Sequence, residues 1–251
     1  MTKEPINIRY RFVHPGDPDN EVSFTVSIDP DTMEHAGHPV ENPPDWARLD
    51  VEPCTHCALD HEVHHHCPLS LSVVELVETF NPLLSFNEVD VIVETPERTF
   101  SKRTSTQKAL SSLLGLYMAT SACPNMGLLK PMARFHLPFS TKEETIYRAA
   151  SSYLLGQYML HQRGLPCDLA LEGLHTAYQK IHKVNMGMAK RLRSFARGDA
   201  NINAIVLLDL FAHEMPSAID LKMKNLEYLF ASYFSQKTDE ALPPAVGETG
   251  E

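Results

Sequence analysis

The sequence predicts an α+β protein: a small antiparallel β-rich N-terminal part carrying a cysteine-rich, zinc-type loop, followed by a bundle of about five helices. Three observations carry this. Short alternating apolar runs dominate the first hundred residues, apolar spacing of three and four takes over from about Ser105, and the two regimes flank a stretch that belongs to neither. That stretch, Cys54 to Pro68, reads C-T-H-C-A-L-D-H-E-V-H-H-H-C-P and holds three cysteines and five histidines. The expected division is residues 1–103 for the β-rich part, 104–235 for the bundle packed on it, and a disordered tail over 236–251, where too little is apolar to bury.

Each element follows from local pattern. I-N-I-R-Y-R-F-V and V-S-F-T-V-S-I alternate on either side of H-P-G-D-P-D-N, a run of turn formers, and so predict a hairpin. From Asp29 to Pro53 the density of Pro, His, Asp and Asn predicts an irregular loop. Ser72-Val-Val-Glu75 has the form of a capping box opening a short helix, V-V-E-L-V-E-T-F. E-V-D-V-I-V-E-T alternates again, with R-T-F-S-K-R-T placed to pair back with it.

Leu110, Leu113, Leu114 and Tyr117 then share a helical face, which runs out at C-P-N-M-G. L-K-P-M-A-R-F-H-L-P-F is expected to be non-helical. Ser140-Thr-Lys-Glu143 predicts a second capping box, for a helix whose core face is Tyr147, Ala150, Leu154 and Tyr158. Leu171, Leu174, Tyr178, Ile181, Asn185, Met188, Leu192 and Phe195 form an unbroken seam of long-helix type. I-N-A-I-V-L-L-D-L-F-A, apolar nearly all round, predicts a buried helix, and Leu221, Leu226, Tyr228, Leu229 and Phe230 a last amphipathic one.

Composition narrows the function classes. The 251 residues carry a formal net charge of -10, so attraction to nucleic acid or anionic lipid would begin against long-range repulsion. No nucleic-acid or membrane partner is expected. The N-terminus lacks the apolar core of a signal peptide, and no uninterrupted apolar run approaches the roughly 20 residues that span a bilayer. A cytoplasmic protein is the expectation. In that reducing compartment five cysteines, an odd number, point to metal or buried thiols before disulfides.

Cys54 and Cys57 have the C-x-x-C spacing that turns two sulfurs toward one ion, and Cys67 can close a loop onto it, with Pro68 stiffening the exit. A structural zinc is the cofactor this predicts. His61, Glu62 and His65 also spell H-E-x-x-H, but a zinc protease needs that motif on a regular helix so that both histidines face the metal. Ten residues ending in H-C-P leave no room for one, so a zinc-dependent hydrolase is the lesser reading.

At S-A-C-P-N-M and K-P-M-A-R-F-H-L-P-F-S-T-K-E-E-T-I-Y-R-A-A-S-S-Y-L-L the chain resembles a bacterial family catalogued only as a domain of unknown function. The likeness reaches back through Cys54, Cys57 and Cys67-Pro68 and forward to N-A-I-V-L-L-D, so it covers most of the chain. The family more often has Ser-Gly-Cys-Pro where this chain has Ser121-Ala122-Cys123-Pro124. The histidine cluster does not resemble a family element. The resemblance places Cys123 beside the other three cysteines as a fourth ligand, in competition with a histidine of the 61–66 cluster. A ligand from so far along the chain would staple the β-rich part to the bundle. Cys167 has no such company.

Arg134, His136, Glu144 and Arg148 crowd a loop and the helix it enters. They define either a ligand or catalytic pocket, in which His136 exchanges a proton and the arginines hold an anion, or a cap, an i,i+4 pair between Glu144 and Arg148, and a core histidine. Lys183, Lys190 and Arg197, with Arg191 and Arg193, read as a solvated helix flank. Asp199, Asn201 and Asn203 begin a calcium-loop spelling, but Ala204 and Leu210 occupy its turn-glycine and bidentate-glutamate positions, so they are read as helix caps. The function expected is a binding or assembly module with one structural zinc, its partner a protein or a second copy. The alternative is an enzyme centred on His136 and Arg148.

Overall fold

A computed structural model describes residues 3–37, 40–195 and 197–241. Strands β1 (Ile6–His14), β2 (Asp17–Ile28), β3 (Glu88–Glu94) and β4 (Thr99–Ser105) form one antiparallel sheet in the order β2-β1-β3-β4. The expected hairpin is β1–β2. Its turn pivots at Gly16, whose φ of +86° would strain any side chain. Alternation then fixes which face is buried: Tyr10 sits opposite Phe24 and Val93, and these, with Ile8, Phe12, Val26 and Val91, point to the helices. Phe12, Phe24 and Phe80 meet there, with Phe12 and Phe80 ring centroids 4.9 Å apart. The edge strand β4 is largely exposed and carries Lys102 and Arg103, charges that discourage pairing with another chain.

Between β2 and β3 lie two short helices rather than one, α1 (Pro68–Ser72) and α2 (Val74–Phe80). The capping box expected at Ser72 is not formed. Ser72 Oγ donates to the Leu69 carbonyl at 2.8 Å, because Pro68 has already started a helix four residues earlier.

After β4 the chain turns directly into α3 (Thr106–Thr120), two residues beyond the expected boundary. Helix α3 is the centre of the molecule, buried along nearly its whole length and packed on the sheet, α1 and α7. The stretch where α3 is expected to run out forms a 3-10 turn, Pro124–Leu129, and the segment expected to be non-helical, 129–139, contains a short helix, α4 (Lys130–Arg134). Both start at or beside prolines, which favour the first turn of a helix even as they forbid its interior.

Helix α5 (Lys142–Gln162) does open on a capping box, one residue later than expected: Thr141 Oγ accepts from the Glu144 N–H, and Glu144 accepts from the Thr141 N–H. Its core face differs from the expectation. Ile146, Ala149 and Ala150 are buried, whereas Tyr147, Leu154 and Tyr158 face outward, Tyr158 with 57% exposure. The small alanines let α5 lie close to the bundle, and its aromatics fall on the other side.

The seam is as expected on α6 (Glu172–Arg193): Leu174, Tyr178, Ile181, Asn185, Met188 and Leu192 are buried. Phe195 continues it by stacking on Trp46 at 4.7 Å and 8°. Helix α7 (Ala200–Asp220) packs on α3 and α6 but buries only one side, leaving Val206 and Leu210 exposed. By length and composition α7 would suffice to cross a bilayer, although Asp209, His213 and Glu214 interrupt its apolar run. Asp199 stands at the N-cap of α7, but its carboxylate is spent on the Ser85 N–H and hydroxyl at 2.7 and 2.9 Å and on Asn203. It is a latch to the loop before β3 rather than a cap.

Of the expected last helix only Leu226 is buried, within the 3-10 turn Lys224–Phe230, and α8 (Ala231–Ala241) follows. Of the expected tail, residues 236–241 are helical, and 242–251 lie outside the described residues. One apolar core runs without a break from Ile8 in the sheet to Leu226.

Candidate functional site

Two neighbouring features hold the chemistry: a cluster of four cysteines and a larger cavity. Both are lined by α6 and by the 3-10 turn that follows α3, and the Cys/His loop lines only the first.

Cys54 and Cys57 stand in the loop after β2. The Cys57 N–H donates to the Cys54 carbonyl at 3.0 Å, closing the C-T-H-C turn. Cys67 precedes α1 and Cys123 follows α3, and the two are built alike. Each is the N-cap of a proline-initiated helical turn, with φ −72° and ψ 118° at Cys67 and φ −70° and ψ 122° at Cys123. The repeated Cys-Pro dipeptide thus has one backbone form. All four cysteines are half-buried and free, and all four line a single recess of about 20 Å³, closed on the far side by Val184, Gly187, Met188 and Arg191 of α6.

Burial pushes the Cys54 thiol up to about 11, and the other three cysteines push it in the same direction, while Arg191 pulls it down. Burial likewise raises Cys123 to about 11, against hydrogen bonds to its sulfur from the backbone N–H groups of Asn125 and Met126. The thiols are therefore close enough that they cannot all ionise without a cation between them. Among the described residues no three His, Cys, Asp or Glu side chains stand in the geometry of a formed metal site. The donor set nonetheless suits zinc: four soft sulfurs, N–H donors aimed at one of them, and a fixed positive charge alongside.

That charge is Arg191, which is buried at 3% exposure rather than solvated on a helix flank. It donates to the carbonyls of Trp46 and Arg48, and no carboxylate pairs with it among the described residues. The Trp46–Arg48 turn in turn takes the Cys67 N–H on the Ala47 carbonyl at 2.9 Å, so Arg191 braces the segment that presents Cys67. Gly187 allows the close approach: a Cβ there would lie 3.0 Å from Cys54 Sγ. Both residues were missed in the sequence, where Gly187 is silent and Arg191 merges with its basic neighbours. Their i,i+4 spacing on the seam side of α6 was the available signal.

The histidines do not join them. His61, Glu62, His64 and His65 lie in an exposed turn closed by the His64 N–H on the Asp60 carbonyl at 2.8 Å, not on a helix. H-E-x-x-H accordingly lacks the frame that would aim two imidazoles at one ion. Cys167 is exposed and apart.

The larger cavity, about 360 Å³, opens between α3, α5, α6, α7 and the loop after α4. His136 and Arg148 line it; Arg134 and Glu144 do not. Arg134 is drawn outward by Glu97 at 3.1 Å and by the Phe135 ring, and Glu144 is engaged in the α5 cap. The expected Glu144–Arg148 ion pair is therefore not formed. Arg148 Nη2 instead donates to the carbonyls of Met132 and Phe135 at 2.9 and 2.7 Å, pinning the loop that carries His136.

His136 Nε2 is bonded to the Tyr10 hydroxyl, which also meets Ser112 Oγ at 2.8 Å. Although His136 as a whole is only half-buried, its ring is enclosed, and burial followed by the nearby Arg148 charge pushes it down to about 3. It is neutral at physiological pH. Asn185, on the same cavity, gives its amide to Asp209 at 3.4 Å, and its carbonyl oxygen is buried without a partner among the described residues.

The model of a family described as a domain of unknown function, DUF6901, matches residues 7–231. No curated protein and no solved structure matches the chain.

Proposed function

Because the chain belongs to the DUF6901 family, whose description assigns no activity, we propose a role from its geometry: a binding module whose sheet-side loop and helical bundle are held together by one structural zinc on Cys54, Cys57, Cys67 and Cys123. The observation that supports it is the meeting of four cysteines from three separate segments on one recess of about 20 Å³, room for a single small sphere. Four thiolates would give zinc a closed tetrahedron, with no open position for substrate, and Arg191 would offset part of the resulting negative charge. Zinc supplies folding free energy at such a site.

The enzyme reading centred on His136 finds less support. A general base works best with a pKa near the operating pH, and His136 lies far below it and is bonded to Tyr10. Arg148, the expected anion holder, spends Nη2 on two carbonyls.

The test is elemental analysis of the purified, reduced chain. About one zinc per chain is expected, and its removal by a chelator should loosen the fold. A metal-free chain with the same melting temperature and protease resistance overturns the proposal.

A further inference from the structure

We propose that the 360 Å³ cavity is a binding site for an amphipathic carboxylate, with its apolar body among the helices and its head at a cationic mouth. This rests on the binding-module reading above but not on the metal. The volume falls within the usual range of small-molecule sites. Its interior is built from Leu116, Met126, Leu129, Leu208 and Phe211, and two of these are methionine or phenylalanine, side chains that reshape readily or offer a flat face to a hydrocarbon.

The charge on the wall points to the head group. Lys102, Lys108 and Arg148 line the cavity, and among the described residues no Asp or Glu does. In a chain of net charge -10 a wall with cations alone is against the composition. None of the three cations is in an ion pair with a carboxylate among the described residues. Lys102 and Lys108 are exposed at the rim, and Lys102 Nζ sits 5.9 Å above the Phe139 ring, itself part of the wall. Glu144 and Asp209 adjoin residues of the wall: the Glu144 carboxylate accepts from the Thr141 N–H at 2.7 Å, and Asp209 accepts from the Asn185 amide at 3.4 Å and meets His182 at 2.8 Å. Arg148 keeps Nε and Nη1 without an acceptor in the described chain. Either group can give a carboxylate a charge-assisted N–H bond, shorter and stronger than the bond it would give a neutral head group.

The experiment is titration calorimetry on the full chain as purified, with its zinc content and circular dichroism recorded first. Dodecanoate and dodecanol are compared, both below the concentrations at which they aggregate. Dodecanoate is expected to bind saturably at about one per chain, and dodecanol about tenfold or more weakly. Changing the two exposed lysines together, Lys102→Gln and Lys108→Gln, should weaken dodecanoate several-fold and leave dodecanol as it was. Binding of both with equal affinity, many weak sites per chain, or a double variant that binds dodecanoate like the parent each overturns the proposal. Folded protein that ignores dodecanoate would sink this inference while leaving the zinc reading intact. Saturable binding by a zinc-free chain would do the reverse.

Discussion

Replacing His136 by glutamine should remove a defined part of the acid sensitivity of the fold. The imidazole is enclosed, bonded to Tyr10 and faced by Arg148, and is pushed from 6.5 down to about 3. In the unfolded chain it titrates near its ordinary value, so between these limits the unfolded state binds a proton that the folded state refuses. Stability is therefore unaffected above about pH 6.5 and falls as pH drops below it, by about 1.4 kcal/mol for each pH unit until the folded value is reached. At pH 5 the loss is about 2 kcal/mol, or roughly 4 to 8 °C in Tm for a chain of this size.

His35 and His56 are also lowered by burial, and thiol ligands release metal in acid, so the wild type should lose more than this. The side-chain amide introduced by His136→Gln keeps a polar partner for Tyr10 and cannot ionise. The informative quantity is the difference between the two proteins in Tm lost from pH 7 to pH 5, measured by calorimetry. The variant should lose about 4 to 8 °C less. Parallel pH profiles would refute the enclosure of His136.

Gly187→Val places methyl groups where Cys54 Sγ already stands 3.0 Å from the position of a Cβ. It should cost about 1–3 kcal/mol by overpacking and lower zinc content together with stability, read by thermal unfolding and elemental analysis. Glu62→Gln alters an exposed turn residue, so Tm should stay within about 1 °C and no peptide hydrolysis should appear or vanish. Loss of a wild-type hydrolytic activity in this variant would restore the protease reading.

Much of the fold was legible because single periodicities dominate single elements. The alternation in β1, β2 and β3 located the sheet, and the seam from Leu174 to Leu192 located α6 and its buried side. Misreadings fell where two local signals competed. At Ser72 a capping-box spelling lost to Pro68, which had already opened the helix. On α5 the large side chains Tyr147, Leu154 and Tyr158 suggested the core face, while close packing chose Ile146 and two alanines.

The cavity was half legible. His136 and Arg148 were found from local crowding, but its walls on α3, α6 and α7 come together only through tertiary packing. Lys102 and Lys108 drew no notice because an exposed lysine is ordinary until its neighbours are known. In the cysteine cluster the thiols were visible in spacing and resemblance. Arg191 was not, because nothing in R-L-R-S-F tells a buried guanidinium from a solvated one.

The most direct test of the proposed zinc staple is the zinc content of Cys57→Ser and Cys123→Ser, measured side by side with limited proteolysis. Cys57 belongs to the local C-x-x-C turn, whereas Cys123 comes from the far end of α3, so only a shared ion makes their loss equivalent. Both variants are expected to fall well below one zinc per chain and to be cleaved faster between the Cys/His loop and the bundle. A Cys123→Ser protein that keeps its zinc and its protease resistance, beside a Cys57→Ser protein that loses both, would contradict the account.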